Sequence, residues 1–290
     1  MSLMENSMKI TGLPGNKKLS LTNDGRLSVF FLGVGSAFTK THYQNNILII
    51  KGNDHLLVDC GTKTPQALHE LGLNVMDIEH LLITHSHADH IGGLEELMLM
   101  HRYVKKSKPT IYINHQYQHL LWDLSLRGGA SYNEEINGAD LGFTDMFDVV
   151  RPSCPKREFP RETQEIQVGS INLKIFRTKH IPDTPDSWHC SFWSCGLIID
   201  GRIMFTSDTR YDENLIFEYA SMYDLEYIFH DCQFYSGGVH ANLDELSRLP
   251  EETKAKMILM HYGDNWKDYE KEVKRQKFIG LAKQWHFYTF

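Results

Sequence analysis

The first stretch of the chain is polar. Residues 1–27 carry turn formers such as Leu13-Pro14-Gly15-Asn16 and no sustained apolar run. Short apolar runs then follow one another: Leu27–Leu32, rich in β-branched and aromatic residues, Asn46–Lys51, and His55–Val58, which Asp59-Cys60-Gly61 closes. Runs of this length with turn punctuation predict consecutive paired strands. Thr64–Leu71 has helical spacing, His80–Thr84 reads as a short buried strand, and Ile91–Tyr103 returns to helical periodicity. The second half repeats the rhythm. Val168–Arg177 alternates as a strand, and Cys195–Asp200 and Arg202–Thr206 flank an Asp200-Gly201 pair, a tight hairpin signal. Tyr227–His230 is a strand, Leu243–Leu249 a helix and Met257–Met260 a strand. Residues 123–165, with Pro152, Pro155 and Pro160, are the least regular and are expected to form an insertion near the functional site. Strands followed by a helix in each half predict an α/β fold, with two β-sheets face to face and helices outside. The expected organisation is an N-terminal extension, 1–27, and a single domain, 28–290.

The strand His80–Thr84 delivers His85-Ser86-His87-Ala88-Asp89-His90. His85 and His87 are two apart, so in extended backbone they share a side. Asp89 and His90 follow as the chain turns into the Ile91 helix, and Gly92-Gly93 permits a tight backbone there. Three imidazoles and a carboxylate within six residues suit zinc, with manganese or iron as alternatives. A solvated polar loop does not account for four such groups together. His115 and His119 have helical i, i+4 spacing but no evident third ligand, which favours a surface role. Gly33-x-Gly35 is a partial dinucleotide motif. Position 38 is Phe and another strand follows instead of a helix, so a tight strand turn is the better reading.

Composition narrows the function further. The 290 residues are 41% hydrophobic and 23% charged, with a formal net charge of −7, which suits a globular fold and not a general phosphate-backbone binder. Five cysteines, Cys60, Cys154, Cys190, Cys195 and Cys232, form no C-x-x-C pair, so free thiols in a reducing cytoplasm are expected. No apolar run approaches membrane-spanning length, and the N-terminus has no signal-type core. The first residues are read as a cloning remnant, with Met4 and Met8 as alternative starts.

His-x-His-x-Asp-His after a short apolar strand resembles the hallmark of the metallo-β-lactamase superfamily, and the resemblance runs from about Val29 to Gly263. It implies a four-layer αβ/βα sandwich. Asp59-Cys60-Gly61 resembles the family's first motif, whose Asp braces the metal loops. His180, Asp208 in Phe205-Thr206-Ser207-Asp208-Thr209, and His261 in Ile258-Leu259-Met260-His261-Tyr262 match the later motifs. The implied scheme holds one metal with His85, His87 and His180 and a second with Asp89, His90 and His261, with Asp208 bridging. His189, in Pro185-Asp186-Ser187-Trp188-His189, is second choice to His180, and with Trp188 and Trp193 is assigned to a pocket wall or core.

The chain is more closely similar to the ribonuclease Z-like and phosphodiesterase branch, through Leu32-Gly33-Val34-Gly35-Ser36 and through Asp231 with His240. In that branch an acidic residue and a following His form a pair beside the metals. A carboxylate can orient the imidazole and raise its pKa, so that it protonates a leaving alcohol. The tRNA-processing members carry a long arm, often between the third-motif His and the bridging Asp. Here that interval, His180 to Asp208, is short and holds a hairpin. The expectation is a metal-dependent hydrolase of a small phosphodiester, a cyclic or short nucleotide, acting through a hydroxide that bridges two divalent ions, zinc first. Asp89 is expected to orient the hydroxide and His240 to assist the leaving oxygen. A ribonuclease Z-like RNA endonuclease is disfavoured, a lactonase or thioesterase on the same site is the other alternative, and a non-catalytic binding protein would have lost ligands. The resemblance also implies a homodimer; the cysteine pattern leads to an expected cytoplasmic location, and no membrane partner is expected.

Overall fold

The computed structural model describes residues 8–15 and 18–290. The expected cloning remnant in residues 1–7 and the end of the Leu13–Asn16 turn lie outside the described residues. Among the described residues the strands are, in chain order, β1 (Lys9–Gly12), β2 (Ser28–Phe31), β3 (Ile47–Lys51), β4 (Asp54–Val58), β5 (His80–Leu82), β6 (Thr110–Tyr112), β7 (Glu135–Ile136), β8 (Ala139–Asp140), β9 (Asp148–Val150), β10 (Thr163–Val168), β11 (Ile171–Arg177), β12 (Cys195–Ile199), β13 (Ile203–Phe205), β14 (Tyr227–Asp231), β15 (Met257–Met260), β16 (Gly280–Leu281) and β17 (His286–Thr289). One sheet runs β1-β17-β2-β3-β4-β5-β6-β9 and the other β10-β11-β12-β13-β14-β15-β16. Each is antiparallel in its first part and parallel beyond β4 or β13.

The apolar runs are unbroken because both strand faces are covered. Val29, Phe31, Ile47 and Ile49 face the second sheet, where they meet Leu173, Leu197, Phe205 and Phe229. Their neighbours Phe30, Leu32, Leu48 and Ile50 face outward, under Leu68 of the helix Thr64–Glu70 and Leu94, Leu97 and Met98 of the helix Leu94–Met100. On the far side, the helix Glu213–Ala220 buries Leu215, Ile216 and Tyr219 against the second sheet. The order is therefore helix, sheet, sheet, helix, the expected four-layer sandwich. Two apolar faces leave register undecided by hydrophobicity alone. The Gly52-Asn53 turn settles it locally: Lys51 pairs with Asp54, and Asn23 Oδ1 accepts the Gly52 N–H at 2.7 Å. All five cysteines are free, and no helix of the described residues is long and apolar enough to cross a membrane.

Two regions differ from the sequence reading. Val168–Arg177 is not one strand: β10 and β11 form a hairpin across Gly169-Ser170. The alternation runs through the turn, which hides it, while Asp54 accepts the Ser170 N–H. Residues 123–165 are not simply irregular. They hold the short helices Arg127–Ala130 and Phe143–Met146, the β7–β8 hairpin, the edge strand β9 and the start of β10, the first strand of the second sheet. Ala130, Leu141, Phe143, Met146 and Phe147 are buried in the outer core there. The segment 9–12 within the expected extension pairs with the C-terminal strand and forms a sheet edge.

Candidate metal centre

Strand ends build the site. The parallel strands β4, β5, β13, β14 and β15 present the residues at and just beyond their C-terminal ends at one rim, the usual place for a site in such sheets. Three non-glycine residues there take left-handed backbone: Asp59 (φ 66°), Ser207 (φ 52°) and His261 (φ 60°). Such conformations typically persist where surrounding structure over-determines them. Asp59 shows how. It is fully buried, and its carboxylate accepts the Thr84 N–H at 2.8 Å and the Thr84 hydroxyl at 2.8 Å. Asp59 Oδ2 also lies 2.7 Å from His90 Nδ1, fixing that ring. Sequence reasoning missed a second brace. Asn46, fully buried in the run that forms β3, donates to the Asp89 carbonyl at 3.0 Å and accepts the Gly61 N–H at 2.7 Å and the Thr64 hydroxyl. The available signal was an amide opening an otherwise apolar strand.

Gly61 lies against the same loop. A Cβ there would stand 2.0 Å from the Asp89 carbonyl oxygen and 2.6 Å from its carbon. Gly61→Ala is therefore expected to displace the Asp89-His90 turn, costing about 1–3 kcal/mol and lowering bound metal and activity together. Elemental analysis with thermal melts checks this; a variant with full metal content and an unchanged melt would show that the loop absorbs the methyl.

The structure brings the seven nominated ligands into two sets that share Asp208. In the first are His85, His87, His180 and Asp208; in the second, Asp89, His90, Asp208 and His261. Within the first, His85 Nε2 is 3.0 Å and His180 Nε2 3.3 Å from His87 Nδ1. Asp208 Oδ2 lies 3.8 Å from His85 Nε2 and 3.9 Å from His180 Nε2. In the second, His90 Nε2 is 3.2 Å from both Asp89 Oδ2 and Asp208 Oδ2, and His261 Nε2 is 3.3 Å from each. A tetrahedral ion with bonds of about 2.1 Å has ligand-to-ligand edges of about 3.4 Å, so these spacings bracket the edges that a divalent ion requires.

Charge gives an independent test of fit. Asp59, Asp89, Asp208 and Asp231 are all buried. Among the described residues their ion pairs are with histidines alone, with no Lys or Arg. Buried carboxylates without cations are costly, and metal ions are the usual remedy. Asp208 Oδ1 is itself buried without a hydrogen-bond partner. Burial, with His90 nearby, pushes His85 well below the ordinary imidazole range, and burial lowers His180 to about 4. Both are thus neutral, as ligands must be. Burial acts against charge at His90 and His261 as well. There Asp208 and its carboxylate neighbours outweigh it and raise both well above the usual value. The carboxylates draw protons onto the rings that face them, and a bound cation would answer the same demand. The donor set fits divalent metal.

Asp231 and His240 sit beside these sets. His240 Nδ1 lies 2.7 Å from Asp231 Oδ2, and Thr209 N–H donates to the same oxygen at 2.9 Å. The His240 ring is 5.0 Å from that of His180 and 4.6 Å from that of His261, and it is half-buried. Its neighbour's carbonyl, Val239 O, is 2.8 Å from His180 Nδ1.

The remaining candidates lie elsewhere. His115 and His119 are exposed, with His119 Nδ1 2.7 Å from Asp123. His189 is exposed and stacked on Trp188, outside both ligand sets, whereas His180 is fully buried within the first. Trp193 is buried between Tyr117 and the Arg177 guanidinium, a core position. The Gly33-Val34-Gly35 turn is held by the Tyr43 carbonyl, as a strand turn would be.

Comparison with known proteins agrees with this architecture. The solved structure of the metallo-β-lactamase fold protein YhfI from Bacillus subtilis superposes with a TM-score of 0.66 at 18% identity, over 91% of this chain and all of that one. The short form of human tRNase Z gives a TM-score of 0.58 at 17% identity, over 90% of this chain and 98% of that one. In sequence, the anti-Pycsar protein Apyc1 of Bacillus phage BSP38 is 38% identical over 85% of this chain and 93% of its own length. The family model described as anti-Pycsar protein Apyc1 matches residues 27–288. On the metallo-β-lactamase fold, with its carboxylate-rich histidine centre, this chain belongs to the anti-Pycsar Apyc1 family.

Proposed function

We propose that the chain is a phosphodiesterase that hydrolyses a cyclic nucleotide at a centre of two divalent ions, zinc first and manganese or iron as alternatives. The observation that carries the reading is the Asp231–His240 pair beside Asp208. A thioesterase expels a thiolate that needs no such donor, whereas a sugar alkoxide leaves poorly without a proton; a lactone also expels an alkoxide, and the substrate panel below separates that alternative. Membership of a family named for opposing Pycsar supports a small diffusible substrate. So does the short interval from His180 to Asp208, occupied by the β12–β13 hairpin, which has no room for an RNA-gripping arm. The reading includes action in the cytoplasm and a homodimer.

The residues divide the work as follows. His85, His87 and His180 would hold one ion, Asp89, His90 and His261 the other, and Asp208 would bridge. Bound there, divalent ions supply Lewis acidity that activates a water and neutralises a nonbridging phosphate oxygen. Asp89, fixed through its own carbonyl by Asn46, accepts a hydrogen bond from the attacking water and points it in line. Asp231 receives Nδ1–H of His240, which leaves the other ring nitrogen to give its proton to the departing oxygen.

A substrate panel tests the reading. Metal-loaded protein is expected to open a cyclic nucleotide at least about 100-fold faster than it cleaves a tRNA 3′ trailer or an acyl-lactone, a margin within what a matched polar site provides. Faster lactone turnover would replace the proposal with the acyl alternative, and faster RNA cleavage would restore the endonuclease.

A further inference from the structure

Gln233 stands two residues beyond Asp231, and its backbone is locked on both sides. Its N–H donates to Ala241 O at 2.8 Å and its carbonyl accepts from Leu243 N at 3.1 Å. These bonds close residues 234–240 into a loop that ends on His240. The side chain enters that loop. Gln233 is only 4% exposed, and its Nε2 donates to Tyr235 O at 3.0 Å and also to Gly237 O. Gly237 (φ 82°) and Gly238 (φ 86°) take left-handed backbone to wrap around it, a conformation that favours glycine. The amide oxygen, Oε1, is buried without a hydrogen-bond partner. What the loop receives from Gln233 is its two N–H donors.

We propose that Gln233 is a positioning residue for proton donation. Its amide holds the Tyr235 and Gly237 carbonyls so that His240 meets Asp231 at the correct depth beside the metal ligands. The proposal rests on the phosphodiesterase reading and on the role given there to His240. The loop is also tied by Val239 O to His180 and by Ala241 N–H to Thr209 O, so removing the amide donors leaves the loop attached while the depth of His240 against Asp231 is less firmly set. Misplacement of a catalytic group by a fraction of an ångström to an ångström costs roughly 10- to 100-fold in rate.

The experiment uses Gln233→Met, which keeps volume and removes both donors, assayed on a cyclic nucleotide and on bis(p-nitrophenyl) phosphate. The p-nitrophenolate of the second substrate leaves without a proton. Expected are unchanged metal content, a kcat on the cyclic nucleotide lower by roughly 10- to 100-fold with KM little altered, and near-normal turnover of the activated ester. In a His240→Ala background the same substitution should add no further loss. Equal losses on both substrates, loss of metal, or an additional loss in the His240→Ala background would overturn the proposal in favour of a merely structural role. If the Met variant does not fold, Gln233→Glu decides. Its carboxylate cannot donate, but its acid form can, so activity on the cyclic nucleotide should recover relative to the native enzyme as pH falls, and no such recovery counts against the proposal. The two readings fail separately. If His240→Ala leaves cyclic nucleotide hydrolysis intact, the proton-donor role itself fails; if His240→Ala is impaired and Gln233→Met is not, only the positioning role fails.

Discussion

Asp208→Ala is expected to abolish hydrolysis, with kcat lower by more than about 10³-fold, equivalent to roughly 4 kcal/mol of barrier, and to leave fewer bound ions per chain. No other group in the centre has so many partners. Asp208 Oδ2 lies within 3.9 Å of the Nε2 atoms of His85, His90, His180 and His261, so it is the one oxygen common to both ligand sets. Burial disfavours its ionisation, but the facing His261 and His90 hold its carboxyl well below the usual range, and it is anionic at any working pH. Its removal takes one ligand from each set at once and leaves the raised pKa values of His90 and His261 with less support. Elemental analysis and steady-state kinetics on the same preparation check this. A variant that keeps two ions and near-native turnover would show that the sets do not depend on a shared carboxylate.

His240→Ala is expected to have the next largest effect and a different signature. Metal content should hold, because neither of the two donor groups proposed above to hold the ions includes it. Turnover of a cyclic nucleotide should fall about 10²- to 10⁴-fold, the usual contribution of a positioned general acid, while bis(p-nitrophenyl) phosphate should be affected far less. A parallel collapse on both substrates, accompanied by lost metal, would make His240 a ligand. That outcome has a structural basis, since His240, Asp231, Asp208 and His261 also have donor atoms within 4.8 Å of one another. The leaving-group comparison therefore separates two chemically distinct uses of the same ring.

Much of this was legible in the sequence because the informative residues are local. His85 to His90 lie within six consecutive residues, and Asp59, Asp208 and His261 each follow, within three residues, an apolar run that is a strand here, β4, β13 and β15. An apolar run that stops at an Asp or His is visible without knowing how strands pair. The braces beyond Asp59 were not legible, because their partners are distant in the chain. Asn46 acts on Asp89, 43 residues away, and Asp264 holds the loop 39–41 across more than 220 residues through Thr39 Oγ1, Lys40 N and Thr41 Oγ1. Periodicity carries no trace of such contacts. It also failed where elements are too short to show a period, as in β7, β8 and β9, and where a hairpin keeps alternation across its turn, as at Gly169.

The strand-end construction has a consequence for inheritance. Asp59, His180, Asp208, Asp231 and His261 lie at or just past the last residue of a strand, so their positions are fixed by ladders buried in the sandwich. The connecting segments 36–42 and 181–194 run between strands, and the sheets do not constrain their lengths. A lineage can lengthen, shorten or rewrite those segments while the donors stay in register, which is consistent with a shared fold at 17–18% identity to proteins of other names. Natural variants of this chain should therefore accumulate their differences in those segments and spare the strand ends.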